Sequence, residues 1–106
     1  MLADFTDVGG RRLDRVLQAA GRTPQEQLDQ LVLVSGMGRY GCSRGQLAFT
    51  HVGSATVSIC LWPFELLPAP KRQAVLIHEM LHSLGLGENP PESVAITAQV
   101  LKRCGY

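Results

Sequence analysis

The sequence predicts an α+β fold in which a small β-hairpin sheet packs on one long helix, with N-terminal and C-terminal helices on either side. Apolar residues recur at helical spacing near both ends of the chain, and two short β-rich runs flank Val52-Gly53-Ser54. A further helical pattern begins near Ala69 and stops at Gly85 and Gly87. With 106 residues, one domain covering residues 1–106 is expected, with a single core and little apolar surface in reserve.

The elements follow in order. Arg11 to Ala20 reads as a short amphipathic helix, with Leu13, Val16, Leu17 and Ala20 on one face and Gly21 at the stop position. A second helix is expected from Thr23. That residue is a good N-cap, Pro24 suits the first helical position, and Glu26 completes a capping box. Leu28, Leu31 and Val32 would face the core, although Leu31-Val32-Leu33-Val34 also fits a strand. Ser35 to Gly45, with Gly36, Gly38, Gly41 and Gly45, reads as loop. Gln46 to His51 and Ala55 to Leu61 read as the two strands of a hairpin. Pro63, Pro68 and Pro70 rule out regular sheet in the connection that follows. The long helix then runs to Leu84. A last helix over about 92–102 offers Val94, Ile96, Ala98, Val100 and Leu101 to the core.

Composition narrows the function. The net charge is +1 and the Arg and Lys residues are scattered, so nothing favours nucleic acid as a partner. No apolar run approaches a membrane span, so no membrane association is expected. Met1 to Gly10 carries acidic residues and lacks the apolar stretch of a signal peptide. Cys42, Cys60 and Cys104 lack C-x-x-C spacing, which argues against a zinc-thiolate cluster. One disulfide with one free thiol, or three reduced thiols, both fit.

The chemistry is concentrated in His78-Glu79-Met80-Leu81-His82, an H-E-x-x-H pattern. Residues four apart on an α-helix differ by about 40° in azimuth, so both imidazoles leave from one face. Their nitrogens can converge on a zinc ion at about 2.0–2.1 Å. Glu79, one step round the helix, is placed to act as general base toward a water on that metal. Ala74, Ile77, Leu81 and Leu84 form the adjoining apolar stripe, so one side of the helix should enter the core while the next turns toward a cleft. A tetrahedral catalytic zinc needs one more protein ligand. Glu88 is the first choice, because Gly85 would let the chain reverse and return to the metal. Glu92, His51 or an Asp are the alternatives.

These residues resemble the zincin peptidases. The pattern His78-Glu79-x-x-His82-x-x-Gly85-x-x-Glu88 is similar to the extended metzincin motif with glutamate replacing the third histidine, although no methionine follows Met80. Leu47 to Thr50, Thr56 to Cys60, Trp62-Pro63-Phe64 and the long helix also resemble the deuterolysin-type peptidases (aspzincins). No Gly-Thr-x-Asp segment follows His82, and the chain matches neither group fully.

The resemblance implies a minimal zincin-like endopeptidase that binds zinc and takes a peptide or protein substrate, acting as a monomer. It also implies a Cys42–Cys60 disulfide, which would favour a secreted or periplasmic protein. A strand, Ala48 to His51 or Ala55 to Ile59, would either pair with extended substrate or, as a covered core strand, leave no edge for it. Trp62 and Phe64 suit either a pocket wall or core packing, and Tyr40 or Tyr106 would serve as an oxyanion donor. The competing expectation is a non-catalytic zinc-binding or protein-interaction domain with the same fold.

Overall fold

The computed structural model describes residues 2–38, 42, 46–87 and 93–104. A 3-10 turn, Leu2–Asp4, leads to α1 (Leu13–Ala19), α2 (Pro24–Asp29) and β1 (Val32–Ser35). Then come β2 (Ala48–Phe49), β3 (Thr56–Ile59), α3 (Leu61–Glu65), α4 (Ala69–Ser83) and α5 (Ser93–Arg103). The architecture is α+β, with a three-stranded sheet of order β1-β3-β2.

The local signals act where the sequence places them. Thr23 accepts a hydrogen bond from the Glu26 amide while the Glu26 carboxylate accepts one from the Thr23 amide, so the capping box closes α2 at its start. Gly21, at φ 70°, stops α1. The ambiguous run after α2 resolves as strand, and Val32 is therefore exposed in β1 instead of facing the core from α2. Gln27 is buried and donates to the Ser83 hydroxyl at 3.0 Å, which ties α2 to the end of α4.

The hairpin forms as expected but with shorter strands. Ala48 pairs with Ile59 and Phe49 with Ser58, antiparallel. On its other side β3 pairs parallel with β1, from Val32 with Thr56 to Ser35 with Ile59. β3 is the central strand, and its Val57, Ser58 and Ile59 are all buried. The Cys42–Cys60 disulfide, with Cα atoms 5.4 Å apart, fastens the end of this strand. Gly36 sits against it so closely that a Cβ there would lie 3.0 Å from Cys42 Sγ and 3.1 Å from Ser58 Cβ. Cys104 is a free, exposed thiol.

After β3 the proline-bearing connection folds into α3, where Pro63 occupies the first turn that tolerates it. Trp62 is 70% exposed, so it is not a core aromatic. The main core joins Phe5, Leu13 and Leu17 to Ala74, Met80, Leu81, Leu84 and Leu86, and is closed by Ile96 and Val100 of α5. Ala98 is exposed, so the core face of α5 is narrower than its apolar content suggests. Helix α4 packs against α5, α2 and β2 and lies at the centre of the molecule.

Candidate metal centre on helix α4

His78, Glu79 and His82 all lie on α4 and are 6%, 5% and 1% exposed. The two imidazoles project from one face, with ring centroids 4.9 Å apart and planes inclined by 54°. Their Nε2 atoms approach to 3.0 Å. Two nitrogens bound to one tetrahedral zinc sit about 3.3 Å apart, given Zn–N distances of about 2.0–2.1 Å. The pair is thus within a few tenths of an ångström of a two-histidine metal clamp, and the donor set fits zinc.

The outer nitrogen of each ring is also held. His82 Nδ1 lies 2.7 Å from the Leu86 carbonyl oxygen, and His78 Nδ1 lies 2.8 Å from the Thr97 hydroxyl. Metal-ligating histidines are characteristically fixed in this way, with the far ring nitrogen engaged by an oxygen. The first of these contacts arises from how α4 ends. Leu84 is the C-cap, and Gly85, at φ 114°, takes the left-handed position that other residues resist. The Leu86 amide then bonds to the Leu81 carbonyl and the Gly85 amide to the His82 carbonyl, a Schellman turn. This reversal buries the Leu86 side chain in the core and brings its carbonyl onto His82. The expected turn at Gly85 is present, and its role beside the site is to orient a histidine.

Neighbouring segments hold the turn in place. The Gly53 amide, in the hairpin loop, donates to the His82 carbonyl at 2.8 Å. The Val8 amide donates to the Gly85 carbonyl at 3.1 Å, and Asp7 forms a bridge with Leu86. A Cβ at residue 85 would stand 3.0 Å from the Asp7 Cβ.

Burial dominates the electrostatics of His78. Desolvation, followed by the neighbouring His82, lowers its pKa from 6.5 to about 4, so the ring is neutral at physiological pH and its nitrogen lone pair is available to a cation.

Glu88 and Glu92, the carboxylates expected to complete the ligand set, lie outside the described residues, as do Tyr40 and Tyr106. His51 is described and is exposed in the hairpin turn, apart from the buried pair. Among the described residues no group of three or more His, Cys, Asp or Glu side chains is gathered as a metal site. Sequence reasoning missed Thr97, an ordinary polar position on an amphipathic helix whose role appears only once α5 packs on α4. It also expected the histidine face to open on a cleft, whereas both rings are covered. No described helix is long and apolar enough to cross a membrane. Comparison with protein-family models, curated proteins and solved structures finds no match to this chain.

Proposed function

We propose that the chain is a zinc-dependent metallohydrolase with a zincin-like fold, an endopeptidase acting on peptide or protein substrate. The observation that carries this reading is the 3.0 Å approach of His78 Nε2 to His82 Nε2, with both far ring nitrogens engaged by oxygen atoms. Inner nitrogens that converge from one helix face, with the outer nitrogens already engaged, are the arrangement a shared cation needs. Zinc held there would supply Lewis acidity, polarising a carbonyl and making water acidic enough to ionise near neutral pH.

In this reading His78 and His82 hold the ion and Glu88 completes the set, with Glu92 as the alternative. Glu79 takes the proton of the attacking water on its carboxylate and passes it to the leaving amine. Its carboxylate is buried on the same helix as the two histidines. The Cys42–Cys60 disulfide favours a secreted or periplasmic setting.

A second reading is a structural zinc in a non-catalytic domain. The burial of both histidines supports it, since a closed site resembles a structural centre more than an open catalytic one. The intact Glu79 argues the other way, because a structural site has no use for a carboxylate placed beside the metal.

Glu79→Gln separates the two. The variant is expected to keep stoichiometric zinc and a wild-type circular dichroism spectrum while losing hydrolysis of a casein-type substrate. Wild-type protein containing one zinc per chain, yet cleaving neither casein nor a peptide library and losing its fold on chelation, would refute the enzyme reading and leave the structural one.

A further inference from the structure

The two edges of the sheet are finished differently. β2 is two residues long, half-buried and packed on α4, whereas β1 is exposed along its whole length. Val32, Leu33 and Val34 are 54%, 53% and 37% exposed, and Met37 just beyond them is 53% exposed. Leu31 to Met37 contains no charged residue and no proline. Edge strands ordinarily carry one or the other, because either discourages another strand from adding. β1 has neither.

The ladder identifies what this edge lacks. In a parallel pair, the residues bonded to the neighbouring strand alternate along the chain. The Val32 amide donates to the Ala55 carbonyl at 2.8 Å and the Gly36 amide to the Ile59 carbonyl at 2.9 Å, so the even-numbered residues face β3. Leu33 and Ser35 therefore turn their amides and carbonyls outward, where no backbone group among the described residues meets them. Two donors and two acceptors at strand spacing, flanked by aliphatic side chains, fit another uncharged strand. β1 of a second copy is such a strand.

The backbone also selects the register. About a two-fold axis, antiparallel β1 strands could be centred on Leu33, Val34 or Ser35. Centring on Leu33 needs the Leu31 amide, which already donates to the Leu28 carbonyl at 3.1 Å. Centring on Ser35 needs the Met37 amide, which donates to the Ser35 hydroxyl at 3.3 Å. Centring on Val34 uses only the outward groups, with Leu33 of each copy exchanging both bonds with Ser35 of the other. The two Val34 residues then face each other across the axis as a non-hydrogen-bonded pair, their Cα atoms about 4.5 Å apart.

We propose that β1 is a self-association edge, through which two copies of this chain pair antiparallel about Val34 and join their three-stranded sheets into one. One short strand makes a small contact of the transient kind, so dilute chain stays monomeric with β1 bare. Pairing needs no zinc, and it departs from the monomer that the zincin resemblance implies.

Sedimentation equilibrium is expected to show the mean mass rising from one chain toward two as concentration increases. Val34→Lys sets like charges against each other across the axis and should keep the chain monomeric throughout. Its circular dichroism spectrum should match wild type, because residue 34 is exposed. In a Cys104→Ser background, Val34→Cys should form an interchain disulfide in a glutathione buffer, located by peptide mapping, since about 4.5 Å lies within the span of that bond. Leu33→Cys should not, because Leu33 faces Ser35 of the other copy and the two residue-33 Cα atoms stand more than about 7 Å apart. Wild type that is monomeric at every concentration, association that survives Val34→Lys, growth beyond two chains, or equal cross-linking at 33 and 34 would each overturn the proposal. A monomeric wild type that takes up an added Val-Leu-Val peptide would overturn it too, and would assign the edge to a foreign strand. If Val34→Lys does not fold, the two cysteine variants decide the matter.

Discussion

Helix α4 and strand β1 are both rich in large aliphatic side chains, and the fold treats them in opposite ways. Leu81 on α4 is 0% exposed, enclosed by α1, α5 and the turn after the helix, whereas Leu33 on β1 is 53% exposed. Val32, Val34 and Met37 beside it are exposed as well. β1 stands at one end of the strand order and is held chiefly by its ladder to β3. Packing is therefore densest around the helix that carries the histidines, and the sheet edge contributes little burial. A buried polar pair keeps its geometry only where neighbouring side chains leave it no room to relax.

That contrast can be broken or sharpened by experiment. Leu81→Ala, in the sealed region, should destabilise the protein by about 2–5 kcal/mol in urea unfolding, because the cavity opens directly beside the histidines. A cost below about 1 kcal/mol would mean that the core around α4 is looser than its burial implies. Removing the disulfide with Cys42→Ala/Cys60→Ala should cost about 3 kcal/mol, since the cysteines are 18 residues apart in sequence and the link restricts the unfolded chain. Melting by circular dichroism would measure it, and an unchanged midpoint would show that the β3 end is held by packing alone. Smallest of all, Leu33→Ser should shift stability by no more than about 0.5 kcal/mol. A loss near that of Leu81→Ala would show β1 to be covered in solution and would overturn the comparison.

Much of the site is local in sequence and was legible for that reason. H-E-x-x-H spacing aims two rings to one side of any α-helix, and a glycine after the last turn predicts the left-handed stop that Gly85 provides. The α2 capping box and the hairpin across Gly53 are local too, and both form. What was not legible depends on segments distant in the chain. Thr97 reaches His78 only because α5 crosses α4, and nothing in the neighbourhood of either residue encodes that crossing. The burial of Gln27 depends in the same way on Ser83 at the far end of α4. The parallel pairing of β1 with β3 skips over β2, and periodicity carries no record of pairing order. Pro63 was read as a break because proline excludes sheet, yet it also suits the first turn of a helix, and α3 uses it there.

The turn that ends α4 links the site to the opening segment of the chain. Because the Leu86 carbonyl fixes the proton of His82, and because Asp7 and Val8 are bridged to that same turn, the first loop of the protein acts as a brace on an imidazole. Anything that lifts this loop, whether a cut, a binding partner or a substitution at Asp7, will loosen the ring while every residue of the H-E-x-x-H motif remains intact.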